Sequence, residues 1–254
     1  MKRLDLIDTL RGLAVISMIL YHACWIMNHF GILISEEMLN GPAFFAWERS
    51  ICIPFIVIAG FSFSLGHNHL KSGLVLSVIG AAITALTWLI VPEIRIVFGI
   101  LTFLGIATLI MIPVERLFNR ISKGSRKFYF IAFVVSLFLF LATYNINKGY
   151  LGFMPGCAFN MPKELYKGYF ATFLGFLEPG FYSSDYFSVF PWIFLYMCGY
   201  FLYKITIGAG LQSRIFSYGI PGVRVIGRHS LPIYLIHPIV LYLIFYMVAQ
   251  NVLY

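Results

Sequence analysis

Seven apolar runs, each close to the length a helix needs to cross a bilayer, divide this sequence: residues 9–28, 48–66, 73–92, 96–114, 128–146, 187–206 and 230–251. A helix rises about 1.5 Å per residue, so about 20 residues cross a hydrocarbon layer of about 30 Å. Inside that layer backbone N–H and C=O groups have no water to bond, and a run of this kind must satisfy them within its own helix. Composition agrees: 60% of residues are hydrophobic and 11% charged, with a mean hydropathy of +0.87, where a soluble domain carries about 25% charge. The expectation is an all-α polytopic membrane protein, with residues 1–254 forming a single bundle of about seven transmembrane helices.

Charge placement sets the topology. With the N-terminus in the cytoplasm, Lys71, Arg116, Arg120, Lys123, Arg126, Lys127, Lys204, Arg214, Arg224 and Arg228 all fall on the inner side. The opposite loops carry Arg49, Arg95, Lys148, Lys163 and Lys167. This positive-inside bias predicts a cytoplasmic N-terminus and an outer C-terminus. It also accounts for the net charge of +8 without nucleic acid, because short cationic loops meet anionic headgroups. The opening "MKRLD" mimics a signal peptide, but Asp8 and Arg11 interrupt the apolar run, so an uncleaved first span is expected. Cys24, Cys52, Cys157 and Cys198 show no CxxC or Cys/His ligand spacing, which points to neither a disulfide framework nor a metal site. The long connection, residues 147–186, contains "YFATFLGFLEPG", too short to span and read as an interfacial or re-entrant element.

The first span carries Asp8, Arg11 and His22. Ionisable groups in a span cost several kcal/mol unless paired or facing a polar cavity, so they direct attention to function. Arg11 and His22 are eleven residues apart, which is three turns plus about 20° and about 16 Å along the axis. They share one face, and Asp8, three residues before Arg11, can pair with it. A snorkelling, topology-setting Asp8–Arg11 pair and a hydrogen-bonded bundle histidine are the structural alternative. In the last span, Ser230, Tyr234 and His237 follow i, i+4, i+7 spacing and line one stripe; His237 can equally be an interhelical hydrogen-bonding group. Imidazole suits proton transfer near neutral pH. At the outer end of the sixth span, Asp185 lies beside Tyr186 and Trp192. It can orient a polar acceptor or a histidine, or Ser183, Ser184 or Asp185 can cap the helix; the aromatics fit an interface belt or a sugar platform. A proton-coupled transporter or flippase is the rival class, but it would call for inverted repeats, and none is visible in the sequence.

Five stretches in order, "LIDTLRGLAVISMILYH", "PFIVIAGFSFSL", "FGILTFLG", "SSDYFSVFPW" and "IGRHSLPIYLIHPIV", resemble the bacterial branch of the heparan-α-glucosaminide N-acetyltransferase catalytic-domain family. The first span also resembles the arginine, ten residues, histidine signature of membrane acyltransferases that modify surface sugars. The resemblance implies acyl transfer, typically of acetyl from cytoplasmic acetyl-CoA, to a polar acceptor such as a sugar amine or hydroxyl outside a bacterial inner membrane. It assigns His22 to catalysis and Arg11 to the donor, with Asp8 and Gly12 completing the opening motif and Ser230, Tyr234 and His237 the closing one. Thr102 and Ser188 depart from the pattern, where relatives read histidine and proline. Under this reading Asp8, Arg11, Lys71, Arg224 and Arg228 face the donor, since arginine bonds phosphate in a bidentate, charge-assisted way. His22, His237 and Asp185 are the candidate catalytic groups, and Ser230, Tyr234, Tyr186 and Trp192 the acceptor contacts. The 16 Å between Arg11 and His22 is comparable to an extended pantetheine arm. The implied partners are an acyl-CoA donor, a carbohydrate or other polar acceptor and the bilayer, and a homodimer is compatible with them.

Overall fold

The computed structural model describes residues 4–152, 159–206 and 214–253; Cys157 and the side chain of Arg214 lie outside the described residues. Helices dominate: α1 (Asp5–His29), α2 (Glu36–Leu39), α3 (Pro42–Phe63), α4 (His69–Ile90), α5 (Ile100–Ser122), α6 (Arg126–Thr143), α7 (Tyr169–Leu174), α8 (Trp192–Thr206), α9 (Pro221–Arg228) and α10 (Ser230–Leu253). A two-stranded antiparallel hairpin, β1 (Tyr150–Leu151) and β2 (Phe159–Asn160), lies between α6 and α7. Among the described residues, six helices are long and apolar enough to cross a membrane: α1, α3, α4, α5, α6 and α10. This is an integral membrane protein.

The seventh expected run, 187–206, holds α8, described over the 15 residues Trp192–Thr206. The backbone that would form its first turn bonds elsewhere: the amides of Phe187, Val189 and Phe190 donate to Phe98, Phe173 and Leu174 carbonyls, and Pro191 has no N–H to give. The apolar character of α8 serves protein packing more than lipid contact. Trp192, Ile193, Leu195, Tyr196, Cys198, Tyr200, Phe201 and Tyr203 are all buried. The short apolar piece in the 147–186 connection forms the six-residue α7, which at about 1.5 Å per residue reaches less than a third of the way across a bilayer.

The chain forms two compact units, one of residues 1–58 and 212–254, the other of residues 59–211, with the boundary inside α3. In the first unit α1 packs on α9 and α10. Small residues make the close contact: a Cβ on Gly12 would collide with the Val223 carbonyl, and one on Gly227 with the Asp8 carbonyl. Below this crossing, Val15, Met18 and Ile51 form a core against Ile226, Ile233 and Tyr234, and Trp47 Nε1 donates to Ser17 Oγ at 2.8 Å, tying α3 to α1. Gly12→Leu is expected to force α1 off α9 at a cost of at least about 3 kcal/mol, well above the propensity gain of about 1 kcal/mol for replacing a mid-helix glycine. Thermal unfolding in detergent, followed by helical signal, measures it.

In the second unit α4 crosses α5 where Gly73, Ser77 and Gly80 meet Leu109, Gly105 and Thr102. Gly105 thus serves helix approach, as its place in "FGILTFLG" suggests. Thr102 is part of this crossing, and its Oγ1 and the Ser77 Oγ are buried without a hydrogen-bond partner among the described residues. The His69 ring stacks on Phe63 at 3.9 Å between centroids. Cys24 and Cys198 are free thiols.

Candidate active site

At the start of α1, Asp5 and Asp8 lie three residues apart and therefore share a face. They meet the arginines of α9, themselves one turn apart. Arg224 Nη1 donates to Asp5 Oδ2 at 2.6 Å, Arg228 Nη2 to Asp5 Oδ1 at 2.8 Å, and Arg228 Nε to Asp8 Oδ2 at 3.1 Å. Arg11 Nη1 adds a 3.3 Å bond to Asp8 Oδ1. Thr9 Oγ1 accepts from the Ile220 amide and donates to the Asp5 carbonyl, which seats the loop before α9. Asp8, Arg11, Arg224 and Arg228 are thus brought together as expected from sequence, as an ion-pair network of three cations and two anions. Pairing with Asp8 pushes the Arg228 guanidinium still further above its usual range. Asp5 completes the network in addition to the residues expected, and its i, i+3 spacing to Asp8 is the signal in the sequence that marks it.

Further along α1, Nδ1 of His22 lies 2.6 Å from Nε2 of His237 on α10, 215 positions away in sequence. The rings are nearly parallel, 16° apart, with centroids at 4.9 Å. His237 is buried, 6% exposed, and its Nδ1 lies 2.8 Å from the Tyr234 carbonyl and 3.1 Å from that of Ile233. Tyr234 stands beside His237 at 5.8 Å and Tyr21 beside His22 at 6.0 Å between ring centroids. Trp47 and Phe44 pack in turn on Tyr21. Ser230 opens α10, two helical turns before His237 and so toward the ion-pair end. The first unit therefore holds two polar centres joined by one face of α1: a guanidinium–carboxylate network and a histidine pair.

The other sequence candidates belong to the second unit. Lys71 is exposed in the first turn of α4, its amide donating to the Asn68 cap. Asp185 does cap a helix, but a remote one: its Oδ2 accepts from the Ile100 amide at 3.1 Å, at the start of α5. Ser183 Oγ accepts from the Val97 amide in the same junction, and a Cβ on Gly99 would press against Asp185. Tyr186 donates its hydroxyl to the Thr172 carbonyl of α7 at 2.5 Å. Burial pushes that phenol up to about 12, so it keeps its proton as a fixed donor near neutral pH. Trp192, 4% exposed, packs among Phe140, Tyr144 and Phe187. Ser188 is fully buried and donates to the Phe190 carbonyl. Among the described residues, no three His, Cys, Asp or Glu side chains gather as a metal-binding group.

The sequence profile described as heparan-α-glucosaminide N-acetyltransferase, catalytic, matches residues 3–239. The chain belongs to this family. The matched region contains the ion-pair network and both histidines of the pair, so the polar features of the first unit lie within a transmembrane acetyltransferase domain. No curated protein and no solved structure matches the chain.

Proposed function

We propose that the protein transfers an acetyl group from acetyl-CoA to the amine or hydroxyl of a polar acceptor, in the first instance a sugar, at the outer side of a bacterial plasma membrane. The observation that carries this reading is the His22–His237 contact on the α1 face that also bears Arg11. Family membership supports acetyl transfer. The donor's phosphates bind at the Arg11, Arg224 and Arg228 network, where an incoming phosphate takes over guanidinium bonds now made to Asp5 and Asp8. The thioester then lies along α1 toward His22, about 16 Å away.

His22 acts as general base. As the acceptor's oxygen or nitrogen attacks the thioester carbon, its proton passes to a ring nitrogen of His22. The new C–O or C–N bond forms, the C–S bond breaks, and the leaving CoA thiolate takes the proton back from the imidazolium. Products are the acetylated acceptor and CoA with a free thiol, and His22 returns to its neutral state. The positive-inside bias supports a cytoplasmic N-terminus, which puts the arginine network on the side where CoA resides.

The test uses purified protein in phospholipid vesicles with acetyl-labelled acetyl-CoA, alone and with glucosamine as probe acceptor. Labelled N-acetylglucosamine together with free CoA thiol is the expected result. No consumption of the thioester at millimolar donor would overturn the reading. Label found on the protein in the acceptor-free arm would replace direct transfer by an acyl-histidine intermediate.

A further inference from the structure

α10 contains a proline, Pro238, in its interior. In a regular helix the amide of residue 238 would donate to the carbonyl of Tyr234, four residues earlier, but proline has no N–H. The carbonyl so released does not go unpaired. It faces Nδ1 of His237, the residue immediately before the proline, at 2.8 Å. A carbonyl can only accept, so Nδ1 of His237 carries the hydrogen. In neutral imidazole the lone pair is then on Nε2, and that atom is the one 2.6 Å from Nδ1 of His22. His22 must donate through Nδ1, which leaves its own lone pair on Nε2.

We infer that Pro238 and the Tyr234 carbonyl lock the tautomer of His237 and, through it, that of His22, so that Nε2 of His22 is the atom that takes the acceptor's proton. This rests on the reading of His22 as base and names the reacting atom. His237 is a positioning residue: it accepts one bond from His22 before and after the proton arrives, and so holds the ring in one orientation while the acceptor O–H or N–H bond breaks. The arrangement resembles in logic a carboxylate behind a catalytic histidine, where the partner selects tautomer and orientation. Here a backbone carbonyl freed by a proline takes the last place in the chain of bonds, without burying a further charge in the membrane.

Two measurements test it. In protein with 15N-labelled histidine, embedded in lipid nanodiscs, ring-nitrogen shifts separate protonated from unprotonated positions. Both His22 and His237 are expected as Nδ1–H forms, although free neutral imidazole favours Nε2–H; an Nε2–H form at either position overturns the inference without touching the acetyltransferase reading. Pro238→Ala restores a backbone donor to the Tyr234 carbonyl and is expected to convert both histidines to tautomer mixtures, with kcat lowered at least about 10-fold and the KM for acetyl-CoA unchanged. Unaltered tautomers in that variant would also overturn it. His237→Gln supplies a donor and an acceptor from one side chain and is expected to retain more kcat than His237→Leu, which has the bulk without either. Equal kcat in the two variants would count against a hydrogen-bonded relay. Failure of the acetyltransferase reading has a different signature: the wild-type protein would consume no acetyl-CoA while its histidine tautomers stayed as inferred.

Discussion

His22→Ala is expected to lower kcat for acetyl transfer by about 10²–10⁴-fold, the range a positioned general base contributes, while the KM for acetyl-CoA stays within about twofold, as expected when only a transition-state interaction is lost. The split follows from where the residue stands. His22 is well along α1 from the arginines proposed to meet the phosphates, so on that reading its removal leaves the donor's charged contacts in place. Folding is spared because its polar partner, His237, keeps its own bonds to the Tyr234 and Ile233 carbonyls. Tyr234 still packs against Val15, Met18 and Ile51. Steady-state kinetics in vesicles, with thermal unfolding as a control, give the result; full activity in the variant would remove the basis for assigning His22 to the chemistry.

Arg11→Ala is expected to do the opposite, raising the KM for acetyl-CoA by about 10–100-fold with little change in kcat. A charge-assisted hydrogen bond is worth about 1.5–3 kcal/mol, which converts to that range. The contrast depends on the ion-pair network. Asp8 loses Arg11 but keeps Arg228 at 3.1 Å, so no carboxylate is stranded and α9 stays fastened to α1. Arg224→Ala would be a less clean experiment, because Arg224 makes the 2.6 Å bond to Asp5 that helps hold α9 in place. Competition by desulfo and dephospho analogues of CoA provides a second reading. If Arg11 meets a phosphate, the variant should no longer distinguish CoA from an analogue lacking that phosphate, and an unchanged preference would exclude the contact.

Much of the helical framework is legible in the sequence. Apolar runs place α1, α3, α4, α5, α6 and α10 because burying a helix in lipid is a property of the segment itself, indifferent to its neighbours. The shared face of Asp8, Arg11 and His22 is equally local: a helix turns about 100° per residue, so spacing alone decides what lines up. α8 shows where this logic stops. Its residues are as apolar as those of a span, but nine of its fifteen are buried against protein, and hydropathy does not distinguish a side chain that meets lipid from one that meets another helix. Asp185 shows the same limit for polar groups. Its place before an apolar run looks like a local cap, yet its carboxylate serves the Ile100 amide 85 positions earlier.

The membrane class, the helices that span, and the polar stripes on α1 and α10 are therefore written in the chain, since each depends on interactions within a few turns of one helix. Which stripes meet is a matter of three-dimensional packing. That His22 finds His237, that Asp5 and Asp8 meet Arg224 and Arg228, and that Thr102 joins a helix crossing are outcomes of helix packing, and in the last two Gly12, Gly227, Gly80 and Gly105 let backbones approach. In a bilayer helices associate through close packing and a few polar bonds, with no hydrophobic force to choose the face, so contact partners are set by shape complementarity between segments that can lie far apart in the chain. The proline in "LIHPIV" is plain to read, but its consequence for the histidine pair is visible only once Tyr234, His237 and His22 stand in one line of hydrogen bonds.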